Sequence, residues 1–224
     1  MKGKTMTEVV RIAVFYDGGY FFHVSNYYRF NHPRQSRINL NGLHRFVQNR
    51  VSIFEQVDPR LCQIVEAHYF RGRFSVSDME QKANRDNDSE FVAKQLKNER
   101  AFDDVLMRAN IATHFYGTDS RQLPPKEVGI DVWLALEAYD LAVHKKFDVL
   151  ALVACDGDYV PLVRKLNSIG TRVVLLAWDF KTDRSETRTS QALINECSYP
   201  LMMHEEIDNR ARKSDPLIDG LFVN

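Results

Sequence analysis

"DVLALVACDGDYVPLVRKL", residues 148–166, holds an apolar run ending at Cys155, two aspartates one residue apart, and a helical pattern that starts at once. An unbroken run of this kind suits a strand covered on both faces, as in a parallel sheet. It also sets Asp156 and Asp158 at the mouth of that strand. Two carboxylates about 4 Å apart repel by about 1 kcal/mol in water and about 4 kcal/mol near a protein surface. A bound cation turns that repulsion into a binding site, so any further carboxylates at the same edge would carry weight.

Working outward, "VVRIAVFY" (9–16), "CQIVEAHYF" (62–70), "NIATHFY" (110–116) and "TRVVLLAW" (171–178) read as further buried strands beside 148–155. Between them, Leu43, Phe46, Val47, Arg50, Val51 and Phe54 recur at helical spacing. Residues 88–109 carry charge on one side and Val92, Leu96 and Leu106 on another, and 129–145 and 159–169 complete the helices. Pro161 is tolerable only in the first turn of the last one. Strand and helix alternate, which implies βαβ units and an α/β fold, a three-layer α/β/α sandwich around a mainly parallel central sheet. The domain spans 9–180, extending as far as about 205, and 206–224 is a C-terminal tail whose "PLIDGLFV" could dock on a neighbouring surface.

The chain of 224 residues, 44% apolar and 11% aromatic, is long enough for one such domain. Thirty basic and thirty acidic residues cancel, so any signal for nucleic acid must be local. Cys62, Cys155 and Cys197 are isolated and fit neither a zinc site nor a disulfide framework. The N-terminus lacks the apolar core of a signal peptide and no run suits a membrane span, which points to the cytoplasm and no membrane partner. No phosphate-binding glycine loop occurs.

The first strand also ends in an aspartate, Asp17, followed by Gly18 and Gly19, which permit a tight turn or close approach of a ligand. Ligands of open parallel sheets bind beyond the carboxyl ends of the strands, where strand order reverses. If the first and fourth strands are neighbours, Asp17 and Asp156 stand side by side there. On the helix from 129, Asp131 shares a face with Leu134, Ala135, Ala138 and Ala142, at the end nearest that edge. Glu137 lies about a third of a turn off that face, and Asp140 opposite it. Asp17, Asp131, Asp156 and Asp158, with Glu137 at the margin, form a hard-oxygen set suited to Mg²⁺ or Mn²⁺. Such an ion serves phosphodiester hydrolysis. Singly, each aspartate is an ordinary turn residue or helix cap.

"VFYDGGYF", "GIDVWLALEAYDLA" and "LVACDGDYVPLV", in this order, resemble the LabA-like branch of NYN domains. The resemblance covers roughly 9–180. It implies a PIN-like fold, neighbouring first and fourth strands, and a metal-dependent endoribonuclease with Asp17, Asp131, Asp156 and Asp158 as its acidic residues. Glu137 falls where many members have Asp. Tyr20 stands where many carry an Asn, and Cys155 where a Ser or Gly often precedes the acidic pair.

From Gly18 to Phe54 there is no Asp or Glu. Arg29, Arg34 and Arg37 there, with Arg71 and Arg73 after the second strand, could hold phosphates, and Tyr27, Tyr28 or Phe30 could stack on bases of single-stranded or structured RNA, with Tyr20 also expected to contact it. A sparser set, Lys181, Arg184 and Arg188, follows the fifth strand. Core packing or a homodimer contact serves the aromatics equally well. A haloacid-dehalogenase-type phosphatase would need an Asp where Gly19 stands. The rival that survives is a catalytically weak or inactive PIN-like module that binds RNA or a protein partner.

Overall fold

The computed structural model describes residues 8–73, 89–117, 129–182, 186–209 and 214–223. Strands β1 (Val10–Asp17), β2 (Cys62–Arg73), β3 (Ala112–Gly117), β4 (Val149–Val153), β5 (Arg172–Ala177) and β8 (Tyr199–Met202) form one parallel sheet, ordered β3-β2-β1-β4-β5-β8. A small antiparallel pair, β6 (Phe180–Lys181) and β7 (Glu186–Thr187), stands apart from it. The helices are α1 (Gly18–Phe30), α2 (Leu40–Glu55), α3 (Ser89–Arg108), α4 (Ile130–Lys145), α5 (Val160–Ser168), α6 (Gln191–Glu196), α7 (Met203–Asp208) and α8 (Pro216–Asp219). Arg184 and the side chain of Val92 lie outside the described residues.

Alternation along β1 explains the layers. Ile12, Val14 and Tyr16 enter one core with Phe21, Leu43, Phe46 and Leu106 of α1, α2 and α3. Ala13 and Phe15 enter the other with Leu134, Ala138, Leu162 and Val163 of α4 and α5. Each fully buried Leu, Ile or Phe contributes about 2 kcal/mol, so both faces of the sheet hold their helices by apolar burial. The three-layer sandwich expected from the run at 148–155 is the fold.

Two elements depart from the sequence reading. Gly18 and Gly19 open α1 rather than a turn around a ligand, and Asp17 caps it by accepting from the Tyr20 N–H at 3.0 Å. The chain that approaches closely there is β2: a Cβ on Gly18 would overlap the Phe70 carbonyl and stand 2.6 Å from the Tyr69 ring. The sixth strand, β8, was not expected, because Pro200 interrupts its short run; at a sheet edge the missing donor is tolerated. The tail docks on its own chain. Ile218, Leu221 and Phe222 are buried, Asn39 N–H donates to Leu221 O at 2.8 Å, and Val223 N–H to Arg37 O at 2.9 Å.

His44 on α2 lies against Tyr16, and its Nε2 is buried with no hydrogen-bond partner among the described residues. Burial pushes its pKa down to about 4, and burial likewise lowers His68 and His114. The folded state therefore favours neutral imidazole, while the unfolded chain takes up a proton near pH 6.5. This contribution to stability is complete above pH 6.5 and is lost as pH falls toward 4, by about 3 kcal/mol for His44 at 1.36 kcal/mol per unit. Urea unfolding across this range should show the loss, and His44→Leu should flatten it.

Candidate active site at the switch point

The order β2-β1-β4 places the reversal of the sheet between β1 and β4, with Tyr16 paired to Val153 and Asp17 to Phe70. Asp17 is the last residue of β1, and Asp156 follows β4 closely. Asp131 sits in the first turn of α4, whose N-terminus meets this edge. The contacts among them centre on one group. The Tyr159 hydroxyl donates to Asp131 Oδ1 at 2.8 Å and stands 3.4 Å from Asp17 Oδ2. Carboxylates from two elements thus share a single proton donor from a third.

Asp156 accepts from the Asp158 N–H at 3.0 Å and caps the short 3-10 turn Gly157–Tyr159. A Cβ on Gly157 would stand 2.8 Å from the Ser190 hydroxyl, which would have to turn aside. The capping roles weighed for these aspartates hold for Asp17 and Asp156, and such caps place both carboxylates at positive helix ends. Asp158 is exposed and joins through its backbone. Glu137 lies further along α4, where its charge acts on His68 and His114.

The electrostatics mark the same centre. Burial, and then Asp17, Asp156, Asp179 and Asp131, push the Cys155 thiol up to about 12. Burial, with Asp17 and Asp131, likewise raises the Tyr159 hydroxyl far above its ordinary value, so it remains protonated. Asp179 was missed by sequence reasoning. It follows β5 as Asp17 ends β1, and it accepts from the Thr189 N–H at 2.7 Å and hydroxyl at 2.6 Å. Its signal, an aspartate directly after "TRVVLLAW", was present.

Four carboxylates around one thiol make a negative, all-oxygen donor set whose chemistry fits a hard divalent cation. Among the described residues, no three such side chains already close around one point.

A family model described as NYN domain matches residues 11–203. The chain belongs to the NYN domain family. NYN domains are part of the PIN-like nuclease superfamily. A crystal structure of a protein of unknown function from Vibrio parahaemolyticus is similar in fold, at 17% identity and a TM-score of 0.53, over 89% of this chain and 96% of its own. No curated protein matches the chain.

The NYN match starts at the second residue of β1, takes in the rest of the sheet and stops before α8. Around the edge of this NYN domain, the expected nucleic-acid residues separate into two groups. Tyr20 is buried, and its hydroxyl donates to Trp178 O at 3.1 Å and accepts from Trp178 N–H at 2.6 Å. Tyr28 is fully buried against Phe222, and Tyr27 stacks on Phe180 at 4.3 Å between ring centroids. Contact with RNA is therefore corrected for Tyr20, and stacking on bases for Tyr28, since both rings belong to the core. Arg34 pairs with Asp219 at 3.0 Å, and Arg73 with Asp103 at 2.6 Å. Arg29 donates to Gln35 O and Arg37 to Asn26 Oδ1, both from exposed positions. Arg71 follows Phe70, the partner of Asp17, and its guanidinium lies 4.2 Å over the ring of Phe22. Among the described residues, no helix is long and apolar enough to cross a membrane.

Proposed function

We propose that this NYN domain is a metal-dependent endoribonuclease of the LabA-like branch, cutting RNA phosphodiesters at the β1–β4 edge. One observation carries the reading: Asp17 and Asp131, from separate elements, meet at the hydroxyl of Tyr159, whose turn is capped by Asp156. Asp17, Asp131 and Asp156 would hold Mg²⁺ or Mn²⁺, with Asp158 and Asp179 beside them. Bound there, the cation would polarise the phosphate and lower the pKa of a ligated water. Attack of water on phosphorus would break one ester P–O bond, the proton released by the water passing to solvent and the departing ribose oxygen taking one up. Arg71 would hold a phosphate next to Asp17, with Arg29 and Arg37 along the flanking strand of RNA; the pairing of Asp17 with Phe70 supports this. The free thiols of Cys62, Cys155 and Cys197 suit work in the reducing cytoplasm.

A second reading, an RNA- or protein-binding module without turnover, is favoured by the hydrogen bonds that Asp17 and Asp156 give to helix capping. Labelled single-stranded RNA, hairpin RNA and single-stranded DNA, each with Mn²⁺, Mg²⁺ or EDTA, separate the two. Metal-dependent cutting of RNA with DNA spared is the expected result. RNA binding without cutting would support the module, and equal cutting of DNA would remove the RNA preference.

A further inference from the structure

The ring of Tyr159 is fully buried among the apolar residues between the sheet and helices α4 and α5. Its backbone is held as firmly. The 3-10 turn that carries it is capped by Asp156, and Ser190 N–H, donating to Cys155 O at 2.8 Å, ties down the residue before that turn. A hydroxyl fixed in this way has one proton and two carboxylates in reach, Asp131 Oδ1 at 2.8 Å and Asp17 Oδ2 at 3.4 Å. Phenylalanine would fill the same apolar space, so packing alone does not require the hydroxyl.

We propose that Tyr159 is a positioning residue for the acidic site: its hydroxyl holds Asp17 and Asp131 at the spacing a hard divalent cation needs. The inference rests on the metal-dependent reading above and deepens it. Carboxylate ligands come from two elements, the end of β1 and the start of α4, and their like charges push them apart. The Asp17 carboxylate is also oriented by the Tyr20 N–H, whereas the exposed Asp131, among the described residues, takes its side-chain hydrogen bond from Tyr159. Outer-shell donors of this kind orient ligating carboxylates, and their removal lowers metal affinity about 10–100-fold.

The test is Mn²⁺ affinity of the full chain, measured by calorimetry and by the paramagnetic signal of free Mn²⁺. Wild type is compared with Tyr159→Phe, Asp131→Asn and the double variant. The Phe variant should melt near the wild-type temperature and bind Mn²⁺ about 10–100-fold more weakly. The double variant should lose little more than Asp131→Asn alone, because Tyr159 acts chiefly through that carboxylate and Asp17 is held also by the Tyr20 N–H. Wild-type affinity in Tyr159→Phe, with binding lost in Asp131→Asn, would overturn the positioning role and leave the metal site standing. An absence of Mn²⁺ binding in wild type would overturn the metal-dependent reading and this inference with it. A Phe variant unfolded at the titration temperature would assign the hydroxyl to the fold and overturn the inference as well.

Discussion

Asp17→Asn should reduce cleavage about a thousandfold while the protein stays folded. Loss of one charged ligand removes several kcal/mol of transition-state stabilisation, and each 1.36 kcal/mol is a factor of ten in rate. Stability should move little, because Asn caps helices about as well as Asp and can still accept from the Tyr20 N–H. Asp17→Ala would lose the same charge and about 1 kcal/mol of capping in addition. Comparing the two by single-turnover kinetics and urea unfolding separates the ligand role from the cap. If Asp17→Asn cleaved at the wild-type rate, Asp17 would be a cap alone.

Gly18→Ala should be the most destabilising conservative change beside the site. Alanine in place of glycine gains about 1 kcal/mol of helix propensity at best. Against that, the new methyl would overlap the Phe70 carbonyl and stand 2.6 Å from the Tyr69 ring. Backbone cannot step aside as a side-chain tip can, and overpacking of this kind costs about 3 kcal/mol. Sterics win, with a net loss of about 2 kcal/mol, or about 4–8 °C in melting temperature for a domain of this size. The Tyr69 hydroxyl, which donates to Gly18 O at 3.0 Å, would be disturbed too. Calorimetry showing an unchanged or raised melting temperature would contradict this packing of β2 against α1.

The parts of the fold that rest on local pattern were legible. Buried strands announced themselves as apolar runs, and Asp17, Asp131 and Asp156 could be placed because strand ends and helix starts meet at one edge of a parallel sheet. Helix α1 was also written in the chain, with Phe21, Val24 and Tyr28 at helical spacing, but the two glycines drew the reading toward a turn. What local pattern could not show was long-range pairing. Arg34 meets Asp219 and Arg73 meets Asp103, so two arginines that resemble phosphate ligands in a row of residues are tied within the fold. Tyr159 was hidden differently. Its ring fits the apolar face of a helix start, and only the assembled fold brings its hydroxyl to Asp131 and Asp17.

Asp131 offers the most direct check of the acidic site, since it caps no helix and its carboxylate is exposed. Cleavage of a labelled single-stranded RNA would be followed for wild type in Mn²⁺, wild type in EDTA, and folded Asp131→Asn in Mn²⁺. Cutting in the first sample and in neither of the others is the predicted result. Cutting that persists in EDTA, or in Asp131→Asn, would contradict a metal-dependent site at this edge.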